Sequence, residues 1–235
     1  MSTPNEGKQL TISVSGVEYQ RIPIKTHTVM PDDDLSEVVI KYATPVLEDG
    51  DIFFITEKIV AIIQGRSYSL DEIKPRKLAV FLSKYVTKTS YGIGLGIPET
   101  MEMALRECGT PRILFAAGVA AVTKLFGRKG DFYRIAGDLA RGIDGPTQGT
   151  IPPYNQRVVL VPRNPDGVSQ DVRRVLGKDV AVMIVDINDF GGNVLGSTSD
   201  KAQERLVAEI LSDNPLGQGH QSTPMGIIRP LRAAV

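Results

Sequence analysis

The sequence predicts a mixed α+β fold, and three observations carry that reading. Strand-like and helix-like hydrophobic patterns interleave along its 235 residues. Val180-Ala-Val-Met-Ile-Val185, closed by Asp179 and Asp186, is an uninterrupted apolar run of strand length, as a central strand buried on both faces requires. No repeat, low-complexity tract or clear linker divides the chain. It therefore reads as a single unit, in which any second domain is assembled from discontinuous pieces.

Residues 11–15 alternate Ile12 and Val14 with small polar side chains, the period of an early strand. Residues 23–34 read as a loop with an acidic run, Asp32-Asp33-Asp34, the solvated cap of the next helix. Residues 35–42 set Leu35, Val38, Val39 and Tyr42 on one helical face behind Asp34 as N-cap. A turn at 45–50 leads into 51–63, first a strand and then a short helix around Lys58. Residues 70–85 are helical in part. Tyr91-Gly-Ile-Gly-Leu-Gly-Ile-Pro98 is a glycine-rich loop, with Pro98 opening a helix over 99–108 that Gly109 stops. The β-branched and small residues of 112–123 fix neither period. A strand is expected at 132–135, a long ordered loop or a site at 137–153, a strand at 157–161 and a helix at 165–176. A helix at 200–211 presents Ala202, Leu206 and Ile210, and a short strand closes the fold at 226–229.

Composition narrows the function classes. The chain is 42% hydrophobic, and 27 basic residues balance 27 acidic ones. A disordered chain would be poorer in apolar residues and carry more net charge, and a general nucleic-acid binder would show a basic excess. Aromatic residues are 6% and Trp is missing, which disfavours a base-stacking platform. One cysteine, Cys108, excludes a disulfide framework and a zinc site built on several thiolates. The polar N-terminus has no signal-peptide core. The most apolar stretch, 113–122, is about half the ~20 residues of a membrane span and is broken by Gly118. A cytoplasmic protein with no membrane and no nucleic-acid partner is expected.

Three polar clusters come after apolar runs: Ala140-Arg-Gly-Ile-Asp144-Gly-Pro-Thr147, Val185-Asp186-Ile-Asn188-Asp189-Phe-Gly-Gly192, and Leu216-Gly217-Gln218-Gly219-His220-Gln221-Ser222-Thr223. Oxygen donors of this kind suit Mg²⁺ or Mn²⁺ rather than zinc. Glycines beside them allow backbone amides to approach phosphates. An Asp at the end of a buried strand stands where ligands gather in α/β sheets. Each cluster also has a plain reading: a turn at Asp144, an Asx-turn at Asn188-Asp189, and a connecting loop at 217–223. Gly92, Gly94 and Gly96 lack both the G-x-G-x-x-G spacing and the P-loop lysine, and read as a structural turn. His27 and His220 are far apart in sequence, and no Ser-His-Asp or Cys-His set argues for covalent hydrolysis.

At these clusters the sequence resembles the coenzyme F420-0:L-glutamate ligase family. Pro31-Asp-Asp-Asp-Leu35 is similar to the family's P-G-D-D-L. Glu48-Asp-Gly-Asp-Ile52, Glu57-Lys-Ile-Val60 and Gln64-Gly-Arg66 are similar to its D-G-D-V, Q-K-I-V and E-G-R. Gly142-Ile-Asp144 is similar to G-V-D, residues 180–191 to its apolar strand and D-T-F-G, and 216–224 to its M-G-Q-A-D-E-G-T-P nucleotide loop. Three departures stand out. Ile62 occupies the place of a second lysine, D-R-S-N has become Asp144-Gly-Pro-Thr147, and residues 91–130 match the deazaflavin enzymes poorly and look like a divergent branch, some of whose members glutamylate folates.

The resemblance implies a γ-glutamyl ligase fold with mixed sheets and a nucleotide/metal cleft. It implies GTP or ATP as co-substrate, Mg²⁺ or Mn²⁺ as cofactor, L-glutamate and a carboxylate-bearing acceptor as partners, and a homodimer. Asp144, Asp186, Asn188, Asp189 and Gln218 would hold metal. Lys58, Thr147, Gly217, Gln218, Gly219, His220, Gln221, Ser222 and Thr223 would meet the nucleotide, and Arg66 or Arg141 a substrate carboxylate. That reading needs Asp144, the 186–189 turn and Gln218 to converge. The alternatives are a non-catalytic nucleotide-binding homologue with a regulatory role and another metal-dependent phosphoryl-transfer enzyme.

Overall fold

A computed structural model describes residues 3–86, 93–128, 130–188, 191–217 and 219–231. In chain order the elements are β1 (Thr11–Val14), β2 (Val17–Ile24), α1 (Leu35–Tyr42), β3 (Ile52–Thr56), α2 (Glu57–Ile63), β4 (Ser67–Ser69), α3 (Lys77–Ser83), α4 (Pro98–Glu107), α5 (Thr110–Leu125), α6 (Asp131–Ala136), α7 (Asp138–Arg141), β5 (Arg157–Val159), α8 (Pro165–Leu176), β6 (Ala181–Asn188), β7 (Gly191–Ser197), α9 (Lys201–Ile210) and β8 (Met225–Pro230). The mixed α+β class expected from the sequence is the class observed. The chain forms two compact units: residues 1–65 with 162–235, and residues 66–161.

The first unit is built on a six-stranded mixed sheet of order β1-β2-β8-β3-β6-β7. β3 and β6 are parallel, and the other neighbours are antiparallel. Strand periodicity sorts its side chains onto two faces. Ile24, Met225, Ile55 and Ile184 line up across four strands and share one core with Val38 and Val39 of α1, Ile59 and Val60 of α2, and Val172 and Leu176 of α8. Tyr19, Ile52, Phe54, Met183, Val185 and Ile228 face the other way, onto Val207 and Ile210 of α9. β6, apolar at every position from 181 to 185, therefore has a core on each side, as its sequence predicts. Gly226 stands opposite Phe54, where a Cβ would meet the ring at 2.6 Å.

Helix ends coincide with their caps. Asp34 accepts from the Ser36 and Glu37 N–H groups at 2.7 and 3.1 Å and opens α1. Asn164 caps α8 through Gly167 N–H, and Gly177, at φ +61°, ends it. Asp51, at the foot of β3, is buried and receives two hydrogen bonds from Arg229, at 2.8 and 2.7 Å, together with Glu48 N–H. The D-G-D segment is thus a structural clamp on β8.

The second unit has a two-stranded sheet, β4 with β5, under a helical core of Met101, Ala104 and Leu105 (α4), Ile113 and Ala116 (α5), and Ala136. One expectation is corrected here, and one segment left open by the sequence is assigned. Residues 132–135 are not a strand but lie inside α6. Gly130, at φ +85°, starts that helix, Arg128 and Arg134 pair with Asp131 in its first turn, and Phe132, Tyr133 and Ile135 pack on the core. The unassigned 112–123 segment is the middle of α5. In the first unit β2 and β7 are additional strands that the sequence pattern does not predict, and β2 takes in Pro23 and Ile24 from the expected loop.

Candidate functional site

Strand direction brings most of the candidate residues of the first unit to one end of its sheet. β2, β3 and β6 end there, and β7 and β8 begin there. Just beyond the Ile24–Met225–Ile55–Ile184 row lie Thr26, the 219–224 segment, Thr56 to Lys58, and Asp186 to Asn188. Carboxyl ends of parallel strands are where α/β sheets present loops to ligands.

The last loop is pinned rather than free. Thr26 N–H donates to Ser222 O at 2.9 Å, and Ser222 Oγ donates back to Thr26 O at 3.0 Å. Thr56 N–H donates to Pro224 O at 2.9 Å. Asn5 Nδ2 donates to Leu216 O at 2.8 Å and to Thr223 Oγ1 at 2.9 Å, while Thr223 Oγ1 also bonds Leu216 O. Gln221 folds over Gly217 and Gly219, whose Cβ positions lie 3.1 Å from its amide. His220 and Gly219 are exposed. Lys58 sits in the first turn of α2, next to Thr56.

Asp186 and Asn188 share one face of β6, the face of Val182 and Ile184, because Ile187 between them packs into the opposite core. Asp189 and Gln218 lie outside the described residues. Ile62, in place of the family's second lysine, is buried in α2.

A titratable group with no role assignable from sequence adjoins this end. His27, the residue after Thr26, has Nε2 2.9 Å from Asp33 Oδ2 and Nδ1 2.9 Å from Tyr42 Oη. Asp33 also accepts Met30 N–H at 2.7 Å. That bond, with His27 beside it, holds the Asp33 carboxyl below the usual carboxylate range. The acidic run is thus divided: Asp34 caps the helix and Asp33 orients the histidine. Only the turn joining β2 to α1 brings these residues together, so no sequence spacing signals it.

Asp144 and Thr147 belong to the second unit. Asp144 exchanges two backbone hydrogen bonds with Val159, both 2.9 Å, which extends the small sheet by one residue. Ile143 is buried and Asp144 is exposed. A Cβ on Gly142 would sit 2.4 Å from Val161 Cγ2, so G-I-D is fixed by packing on either side of a carboxylate left at the surface. Thr147 is exposed. Arg66 is buried, with Nε donating to Val161 O at 2.7 Å and Nη2 to Glu107 at 2.6 Å. It is a structural residue. Arg141 is exposed, at 3.3 Å from Asp138. Burial pushes the Cys108 thiol up, so it is no thiolate nucleophile at neutral pH.

Among the described residues no three His, Cys, Asp or Glu side chains form a metal-binding group. The donors at the sheet end, one carboxylate and one amide on a single strand face, are hard oxygens. They suit a cation such as Mg²⁺ that takes few protein ligands and completes its shell with phosphates and waters. A concavity of about 630 Å³ opens at the opposite end of the same sheet, lined by Arg173, Lys178 and Ser197 to Ser199. Its Arg173 pairs with Asp179 and its Lys178 with Leu47 O. Among the described residues no helix is long and apolar enough to cross a membrane.

The sequence is similar to known proteins. The model of the F420-0:Gamma-glutamyl ligase family matches residues 23–193, which include Lys58, Asp144, Asp186 and Asn188. The chain is also similar to the coenzyme F420:L-glutamate ligase of Methanopyrus kandleri, at 29% identity over 206 residues, 85% of this chain and 72% of that protein.

Proposed function

The chain belongs to the F420-0:gamma-glutamyl ligase family, and from that membership we propose that it is a γ-glutamyl ligase joining L-glutamate to a carboxylate on a small-molecule acceptor. The acceptor is a deazaflavin coenzyme precursor or a folate-like molecule, and GTP or ATP drives the reaction. The observation that carries this reading is the gathering of Lys58, the pinned 219–224 loop, Asp186 and Asn188 at one end of the first unit's sheet.

The chemistry has two steps. An acceptor carboxylate oxygen takes the γ-phosphoryl group, the nucleoside diphosphate leaves, and an acyl phosphate forms. The glutamate amine then attacks the acyl carbon. A C–N bond forms, the C–O bond to phosphate breaks, and the amine gives up a proton. A free carboxylate has no adequate leaving group, and phosphorylation provides one. Positioning and charge neutralisation therefore carry the catalysis, and no covalent nucleophile is needed.

Lys58 meets the phosphates, and residues 217–223 with Thr147 hold the nucleotide. Asp144, Asp186, Asn188, Asp189 and Gln218 hold Mg²⁺ or Mn²⁺, which neutralises phosphate charge when bound. Arg141 is the exposed cation available to a substrate carboxylate.

Ile62 supports a second reading, a nucleotide-binding homologue that has given up turnover for a regulatory role. One assay separates the two. A ligase releases phosphate only when acceptor and glutamate are both present, and the acceptor gains one glutamyl unit by mass. Nucleotide binding without either signal establishes the second reading. Phosphate transfer without glutamate incorporation indicates another metal-dependent phosphoryl-transfer enzyme.

A further inference from the structure

Asn5-Glu6-Gly7-Lys8 has the composition of a reverse turn, with Asn first and Gly third. The structure forms it: Lys8 N–H donates to Asn5 O at 3.0 Å, and Gly7 takes φ +72°. Arg21 holds the chain that follows. Its backbone N–H donates to Leu10 O at 2.6 Å and its Nη2 to Gln9 O at 2.8 Å. Arg21 is buried, so the turn hangs from a fixed point. Lys8 Nζ adds a bond to Asp213 O at 2.8 Å. The turn lies outside residues 23–193, which the family model matches.

Fixed in this way, Asn5 sets its amide nitrogen at the neck of the 216–223 loop, 210 residues or more away in sequence. Nδ2 is 2.8 Å from Leu216 O and 3.2 Å from Pro215 O on one side of the neck, and 2.9 Å from Thr223 Oγ1 on the other. Thr223 directs its own hydroxyl hydrogen at Leu216 O, at 2.9 Å, so it accepts from Asn5. Every group facing Nδ2 is therefore an acceptor, and the position requires a donor. An amide supplies two N–H groups. A carboxylate of the same shape would present oxygen to two carbonyls.

The bonds that hold this loop use its oxygens. Pro215 O, Leu216 O, Ser222 O and Pro224 O accept, and Ser222 and Thr223 donate through their hydroxyls. No backbone N–H of residues 219–222 donates to another described residue. Successive backbone N–H groups are what a phosphate takes.

We propose that Asn5 is a positioning residue for the nucleotide: its amide closes the neck of the loop and so holds the N–H groups of the tip where a phosphate meets them. The inference rests on the nucleotide reading of that loop. Apparent affinity is intrinsic affinity scaled by the fraction of molecules with the loop in place. Opening the neck therefore weakens binding without altering any group that contacts the ligand.

Calorimetric titration of GTP and of ATP, with Mg²⁺, into the full chain tests it, with affinities compared per folded molecule. Asn5→Ala removes two hydrogen bonds and is expected to raise the dissociation constant about 5–100-fold, with an unchanged circular dichroism spectrum. Asn5→Asp keeps the shape and loses the donors, and is expected to bind no better than Asn5→Ala. A role in packing alone would be rescued by it. Thr223→Val removes the hydroxyl on the far side of the neck. Its loss is expected to be less than additive with that of Asn5→Ala, because both open the same neck. Parent affinity in Asn5→Asp, or additive losses in the double variant, overturns the role of Asn5 and leaves the nucleotide reading standing. A parent that binds neither nucleotide overturns both.

Discussion

Thr26 and Ser222 hold each other reciprocally, backbone N–H to carbonyl in one direction and hydroxyl to carbonyl in the other, at 2.9 and 3.0 Å. The turn that leaves β2 and the loop that enters β8 are therefore one structural piece. Ser222 does this from a left-handed backbone, at φ +54°.

That pair makes the loop testable. Ser222→Ala removes the hydroxyl bond and leaves the backbone bond. One neutral hydrogen bond is worth about 0.5–1.5 kcal/mol, so GTP or ATP affinity, read by titration calorimetry with Mg²⁺ present, is expected to fall about 2–10-fold. Ser222→Gly suits the positive φ and is expected to recover thermal stability but not affinity. Unchanged affinity in both variants removes this loop from the nucleotide site.

Asp144→Asn separates the two readings of its cluster. The bridge to Val159 is made by backbone atoms, so it survives the substitution, and the circular dichroism spectrum is expected to match the parent. If Asp144 is a metal ligand, activity at limiting Mg²⁺ falls by at least the ~10–100-fold seen for weaker, outer-shell losses. Full activity with full stability returns Asp144 to the role of a turn residue.

Gly196→Ala is expected to be severe. A Cβ at residue 196 of β7 would lie 2.2 Å from the Pro165 carbonyl carbon and 2.5 Å from Asp166 N, backbone atoms at the start of α8 that cannot rotate away. Overpacking of this kind costs about 1–3 kcal/mol or more, and in a domain of this size each kcal/mol lowers the melting temperature by roughly 2–4 °C. Differential scanning calorimetry measures it. Gly50→Ala, where a Cβ meets nothing within 4 Å, is expected to cost only its backbone strain at φ +88°.

Glu102 sets an acid limit on the second unit. Burial raises its carboxyl pKa, but hydrogen bonds from Arg76 and Arg106 at 2.9–3.1 Å outweigh burial and hold it below the ordinary glutamate value. On acidification the unfolded chain therefore takes up this proton first. The stabilisation is complete above about pH 4–5, where an unfolded glutamate is ionised, and is lost as pH falls through the folded value. Glu102→Gln is expected to lose about 1–3 kcal/mol near neutrality, with the gap to the parent closing in acid. A gap independent of pH rejects the account.

Legibility in the sequence depended on local signals. The helices at 35–42 and 165–176 could be bounded because Asp34, Asn164 and Gly177 act within one turn of the ends they set. β6 could be placed because two-sided burial leaves an unbroken apolar run. α5 could not, because a helix apolar on both faces has no polar stripe to reveal its period. β2 was hidden by Arg21, which a strand pattern places outside but which the fold buries against Asp213, the Gln9 carbonyl and the Ile210 carbonyl. Lys58, Asp186 and Asn188 were legible as candidate residue types, and the end of the sheet that they share follows from strand direction. The His27–Asp33–Tyr42 set was not, since three unremarkable residues become a unit only when a loop folds back on a helix.

The second unit enters and leaves the chain through adjacent strands: Leu160 N–H donates to Arg66 O at 3.0 Å, and Ser67 lies opposite Val159. On the other side of both junctions the Gln64 side chain both donates to and accepts from the Arg163 backbone, at 2.9 and 2.7 Å. Residues 66–161 are thus a cassette with a single doorway. A relative's cassette spliced in at 65/66 and 161/162 leaves the length of chain the host must close unchanged. Such chimaeras offer a direct way to learn which half of the molecule chooses the acceptor.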